Sequence, residues 1–413
     1  MTNTYNGTKR AVILWLSGLQ LTDLLELPEV EALAKQGVQV ELDPLPITGS
    51  RGQHLQVLSG RSPASFGFFD TLVPQNYTIQ EQTSGRGDMP KLLPDILRSV
   101  GWQVEYQETP LTDFASSLQR WTQTVSSQAA CLMLKYSAED TWNREVMLPA
   151  LARTLNDARA WVGETGLLAV LSDWHPVAVK RFVNLNNYLA EMGVIERVQD
   201  NHTIDWPNSL AYFAGHGQLW LNLLGREAQG AVHPQGEAEE VCETLIKALP
   251  AKLLDPQTGE AVIERIFRRE ELYAGDYLFT APELVVQFAP GYAPSPRSQA
   301  IDFDDAIFTM PAAGALVGAG VHPSQVRGFL LASSHALATA VKVTERVPLT
   351  AVAPTLLHAL DIEYSGLEEG PVASLFDPVY LAEHPIKSGT EDQGLSDEDE
   401  ELIINRLRDL GYV

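Results

Sequence analysis

The chain has 413 residues, 45% apolar and 20% charged, which is enough for a large buried core and excludes wholesale disorder. Its formal charge of −24 at pH 7 repels phosphate backbones and anionic bilayers at long range, so neither nucleic acid nor a membrane surface is an expected partner. Cys131 and Cys242 lie far apart without CxxC spacing, so they read as buried thiols rather than as a disulfide framework or a cysteine zinc site.

Near the start, the apolar run Ala11–Leu16 is too short for a signal peptide or a membrane span, so it reads as the first core strand and a cytoplasmic location is expected. Further strand-like runs at Val38–Leu42, Trp102–Tyr106, Cys131–Tyr136, Leu167–Leu171 and Gly328–Ala332 alternate with helical patterns over Leu21–Lys35, Lys91–Val100, Trp142–Val162 and Val177–Met192. That alternation predicts an α/β fold with a mostly parallel central sheet flanked by helices. The texture changes after Glu196, and 200–300 is predicted to be an inserted cap subdomain between core segments 1–199 and 301–386. Residues 387–413 read as an acidic linker followed by an amphipathic helix over Glu400–Leu410.

The segment Leu171–Ser172–Asp173–Trp174–His175 closes one of these buried runs. Wound α/β proteins place their reactive groups at the carboxyl ends of parallel strands, so Asp173 stands where a metal ligand would stand.

Several short motifs occur in one order: Leu16–Ser17–Gly18, Leu45–Pro46–Ile47–Thr48–Gly49–Ser50, Leu58–Ser59–Gly60, Ser172–Asp173, Asn184–Leu185–Asn186, Asp205–Trp206, Asn222–Leu223–Leu224–Gly225–Arg226–Glu227, Asp255–Pro256–Gln257–Thr258–Gly259 and Ala353–Pro354–Thr355. In this order they resemble the alkaline phosphatase superfamily, in its type I phosphodiesterase/nucleotide pyrophosphatase branch, over nearly the whole chain. The resemblance implies an alkaline-phosphatase-like core and a site in which two divalent metals, usually zinc, flank a threonine or serine that attacks phosphorus. Each metal needs three or four hard or borderline ligands, so the family's Asp and His positions can be compared one by one.

By that resemblance Ser17 replaces the first carboxylate ligand, and the nucleophile position falls on Ser50. Ser50 would start the helix Arg51–Leu58, where free amides make a phosphate cradle, although serine is equally suited to be a simple N-cap and Thr48 is the nearest other hydroxyl. The Asp-His pair after the strand Cys131–Tyr136 becomes Asp140 and Arg144. A guanidinium stays protonated and cannot ligate, and Asp140 could equally cap the following helix. The next Asp-His pair becomes Asp173 and Trp174, with His175 one residue late. His322 is the candidate for the last histidine, with a surface-loop role as the alternative. His54, His335 and His358 show no acidic partner nearby in sequence and read as structural.

Asp140, Asp173 and His175 or His322 cannot close two zinc shells, so the expected cofactor is none, or a single weakly bound divalent cation such as Mg²⁺. The leading expectation is a phosphodiesterase/nucleotide pyrophosphatase-like protein that is catalytically impaired and acts as a binding, scaffold or regulatory protein. Its expected partner is a phosphate-containing small molecule or another protein, with Arg51 and Arg144 as anion contacts. The alternative is an active zinc-dependent phosphoester hydrolase that uses Ser50 as nucleophile in a remodelled site.

Overall fold

The computed structural model describes residues 8–45, 50–82, 85–136, 143–198, 203–296 and 306–387. Seven strands form the central sheet: β1 (Lys9–Trp15), β2 (Val38–Asp43), β3 (Gln103–Thr109), β4 (Ala129–Tyr136), β5 (Leu167–Trp174), β6 (Arg327–Ser333) and β7 (Val341–Pro348). Their spatial order is β7-β2-β6-β5-β1-β4-β3. Only β6 runs against its neighbours, β2 and β5, and every other pairing is parallel. The carboxyl ends of β1, β4 and β5 therefore meet on one edge.

Alternation along β1 shows why the sheet is covered on both faces. Ala11, Ile13 and Trp15 pack with Val57 and Leu58 of helix Ser50–Ser59 and with the helices Leu93–Ser99 and Val352–Ala359. Val12, Leu14 and Leu16 pack on the other face with Leu33, Leu118 and the helix Arg144–Val162. A period of two with both faces apolar is the mark of a strand buried between helix layers.

Two predicted helices are corrected. The segment Leu21–Lys35 is split into Leu21–Leu24 and Pro28–Gln36, because Pro28 begins the second helix and its ring cannot continue the first. Of Val177–Met192, only Leu185–Glu191 is helical. Val177–Ala178 and Arg181–Val183 are instead short strands, paired with Leu316–Val317 and with Tyr292–Pro294 and Phe308–Thr309. Their partners lie more than a hundred positions away, so tertiary pairing overrides the local period.

A second, four-stranded sheet lies within 211–288, in the order Ala211–Ala214, Gln218–Leu221, Leu284–Phe288, Ile263–Arg268. Helix Glu237–Lys252 packs on it through Cys242, Leu245 and Leu249. Several of the short motifs singled out in the sequence make structural contacts in or beside this sheet. Asn186 exchanges two hydrogen bonds with the Phe213 backbone, at 2.9 and 2.7 Å, and Asn222 Nδ2 donates to the carbonyls of Trp206 and Ser209. Asp255, 2% exposed, accepts from the amide of Gln257, the Tyr292 hydroxyl and Arg181 Nε. Arg226 is ion-paired with Glu227 and Glu283. The predicted terminal helix Glu400–Leu410 lies outside the described residues.

Candidate functional site

The ladder between β1 and β5 continues beyond the strands: Leu16 donates to the Leu171 carbonyl at 2.7 Å and Gly18 to the Trp174 carbonyl at 3.0 Å. This register sets Ser17 beside Asp173. Gly18 has φ +88°, a left-handed conformation open to glycine at no steric cost, and it turns the chain away from the sheet edge.

Asp173 is fully buried and is the hub of the site. Its Oδ1 accepts from Trp15 Nε1 at 2.9 Å and from Ser17 Oγ at 2.7 Å. Its Oδ2 lies 3.2 Å from His54 Nε2, which is also 3.2 Å from Ser17 Oγ. His54 is thus the partner that faces Oδ2, while Trp15 and Ser17 hold Oδ1. Burial alone would raise the Asp173 pKa, but the His54 ring and the donors Ser17 and Trp15 outweigh it and hold the carboxyl below its ordinary value. The edge of the His54 ring meets Trp15, with centroids 5.0 Å apart and an interplanar angle of 81°.

His54 therefore has an acidic partner, which corrects its reading as a histidine without one. It comes from helix Ser50–Ser59, whereas Asp173 ends β5, so the contact is invisible along the chain. One signal could have found it: positions 50 and 54 stand one turn apart on the same helix face. Lys135, near the end of β4, is a second residue overlooked in the sequence. It is 6% exposed, bonded to both oxygens of Glu108 at 3.1 Å, and its Nζ sits 5.8 Å above the Trp15 ring.

The other candidates are distributed as follows. Ser50 is the first residue of its helix; its side chain, and all of Asp140, lie outside the described residues. Arg51 is exposed, with its guanidinium 5.8 Å from the Phe68 ring centroid. Arg144 begins helix Arg144–Val162, half exposed, in an ion pair with Glu26; the cap of that helix is Asn143, whose Oδ1 accepts from the Glu145 amide. Trp174 follows Asp173 and its ring lies against Gly318, where any Cβ would come within 2.1 Å of Cζ3. His175 Nδ1 faces the Pro176 carbonyl at 3.4 Å, and burial pulls its pKa below the ordinary value. His322 is turned to Glu264, Gln287 and Ser324, in a cleft of about 360 Å³ between the Asp43 end of β2 and the second sheet.

A pair of zinc ions does not fit the residues described. Indole, guanidinium and hydroxyl stand at three positions where the resemblance calls for ligands, and His175 and His322 have partners other than Asp173. Among the described residues, no group of three or more His, Cys, Asp or Glu side chains could hold a metal ion. Nor is any helix among them long and apolar enough to cross a membrane.

No protein-family model and no curated protein matches the chain. Among solved structures it is similar to murine ectonucleotide pyrophosphatase/phosphodiesterase 5, determined both as such and as an inactive variant in complex with AMP. Each comparison has 13% identity and a TM-score of 0.57 and covers 89% of this chain and 100% of the other. The human counterpart gives 13% identity and a TM-score of 0.55, over 89% of this chain and 98% of that one. At this identity the likeness establishes the fold: an alkaline-phosphatase-like core of the nucleotide pyrophosphatase/phosphodiesterase type.

Proposed function

We propose that this chain, on its nucleotide pyrophosphatase/phosphodiesterase-type fold, is catalytically impaired and works by binding a phosphate-containing small molecule or a protein partner. The observation that carries the proposal is the engagement of Asp173: the carboxylate at the end of β5 is spent on Trp15, Ser17 and His54. Losing a metal ligand costs orders of magnitude in hydrolysis, and here several positions differ together. Helix Ser50–Ser59 still opens at the carboxyl edge of the sheet, so its first amides and Arg51 supply donors for a phosphoryl group. The four-stranded sheet within 211–288 is then a cap that selects the ligand.

Calorimetric titration with inorganic phosphate and with AMP tests the binding half of the proposal. Saturable binding that weakens in Arg51→Ala is expected, and the absence of binding to either at millimolar concentration contradicts a phosphate ligand. A second reading, an active hydrolase with Ser50 as nucleophile, is favoured by the placement of Ser50 at the first position of its helix. Turnover of a phosphodiester that is lost in Ser50→Ala would establish it.

A further inference from the structure

The geometry points to a second reactive centre in this fold: Ser324, His322 and Glu264 form a nucleophile, base and carboxylate set that cleaves small apolar carboxylic esters. It goes beyond the phosphate-binding reading and uses neither Ser50 nor the contacts around Asp173.

The cleft of about 360 Å³ that holds His322 is lined also by Ser324, Glu264, Arg346, Phe267 and Leu272. It lies at the Asp43 end of β2, and β6 stands between β2 and β5, so it is set apart from Asp173. His322 is the cap of the short 3-10 helix Pro323–Gln325, which contains Ser324. Glu264 comes from strand Ile263–Arg268 of the second sheet.

The hydrogen bonds fix where the protons are. The Ser324 amide can only donate, and it is directed at His322 Nδ1 at 3.2 Å, so in the neutral ring Nδ1 carries no proton. The ring proton is therefore on Nε2, which faces Glu264 Oε2 at 2.9 Å, and a carboxylate can only accept. The Gln287 amide group approaches the same nitrogen at 2.9 Å, and this tautomer requires its oxygen on that side. Ser324 Oγ lies 2.6 Å from Nδ1, so the hydroxyl donates its proton to the ring. A serine whose proton points at an imidazole, itself oriented by a carboxylate, is activated as a nucleophile. Nδ1 rather than Nε2 faces the serine, so the two ring nitrogens exchange the roles they have in the serine proteases. Ser324 is exposed whereas the His322 side chain is 13% exposed, which leaves the hydroxyl open to substrate and the base held in place.

In the reaction, Ser324 Oγ attacks the ester carbonyl carbon while its proton passes to Nδ1. The carbonyl oxygen takes the electron pair, with Arg346 on the cleft wall as the cation that meets it. Collapse expels the alkoxide, which takes the proton from Nδ1 and leaves as the alcohol. Water, giving its proton to the same nitrogen, then cleaves the acyl-serine and releases the carboxylic acid. Phe267 and Leu272 offer the acyl group an apolar wall.

The test is hydrolysis of p-nitrophenyl acetate and butyrate by the full-length protein, with fluorophosphonate labelling and peptide mapping alongside. Saturable release of p-nitrophenol and one adduct, on Ser324, are expected. Both should vanish in Ser324→Ala, which replaces an exposed side chain and should keep the parent's thermal unfolding. His322→Gln should lower kcat by about a hundredfold or more. Glu264 acts through His322 as a positioning residue, so Glu264→Gln should lower kcat by about tenfold or more with KM nearly unchanged. No adduct with no release above buffer, or a parent-like kcat in His322→Gln, would overturn the inference. An adduct on Ser50 alone would overturn it and favour the active-hydrolase reading instead.

Discussion

Replacing Asp173 by alanine removes the acceptor for two buried donors at once. Trp15 Nε1 is in a side chain 1% exposed and Ser17 in one 5% exposed, so neither can turn to bulk water. A buried donor left unpaired costs about 1–3 kcal/mol, and breaking a buried charge contact adds to this, so Asp173→Ala should destabilise by roughly 3–5 kcal/mol. Asp173→Asn keeps an acceptor oxygen for Trp15 and Ser17 and loses only the charge facing His54, for about 1–2 kcal/mol. Urea unfolding followed by Trp fluorescence measures both. The pH dependence carries a sign. The Asp173 pKa is lowered in the folded protein, so its contribution is complete above the ordinary value of 3.8 and is lost as pH falls through the folded value. The gap between parent and Asp173→Asn should therefore close on acidification. A loss under about 1 kcal/mol in Asp173→Ala, or a gap that widens towards acid, would refute the role of Asp173 as a satisfied hub.

Three further outcomes are expected. Gly318→Ala would set a Cβ 2.1 Å from Trp174 Cζ3, so the indole must shift at a cost of about 1–3 kcal/mol, and Trp174→Ala should relieve most of it in a double-mutant cycle. His216 is pushed down by burial but held above its ordinary pKa by Asp70, whose Oδ2 is 2.7 Å from Nδ1. Its stabilisation is full below the ordinary 6.5 and fades as pH rises through the folded value, and Asp70→Asn should abolish that dependence in unfolding curves between pH 6 and 9. Burial pushes the Cys131 thiol up to about 12 and Cys242 to about 11, so a thiol reagent should find neither in the native protein and two after unfolding.

The core was legible where its signals are local. Each of the six strand-like runs overlaps a strand of the central sheet, with Leu16 and Trp102 just outside, because strands buried on both faces are continuous aliphatic runs bounded by polar turns. Helix Arg144–Val162 was legible through its helical pattern, read as Trp142–Val162, whereas its cap Asn143 was not singled out. Val177–Val183 was not legible, since apolar residues at mixed spacing become strands there only by pairing with Tyr292–Pro294 and Leu316–Val317. At the site, Asp173 could be placed from the end of its own strand. His54 is marked only by standing one turn after position 50 on the same helix, because its meeting with Asp173 depends on where helix Ser50–Ser59 packs over β1 and β5. The motifs Asn184–Leu185–Asn186 and Asp255–Pro256–Gln257 contributed to the fold resemblance, and they make structural hydrogen bonds, Asn186 with the Phe213 backbone and Asp255 with the Gln257 amide and the Tyr292 hydroxyl.

Hydrolysis of bis-p-nitrophenyl phosphate by the full-length protein, with Zn²⁺, Mn²⁺ or Mg²⁺ added in turn and Ser50→Ala as control, tests the impaired reading most directly. The account predicts no metal-stimulated turnover above that of Ser50→Ala. Robust turnover with any of the three ions, abolished in Ser50→Ala, would contradict it and make the chain a working phosphodiesterase.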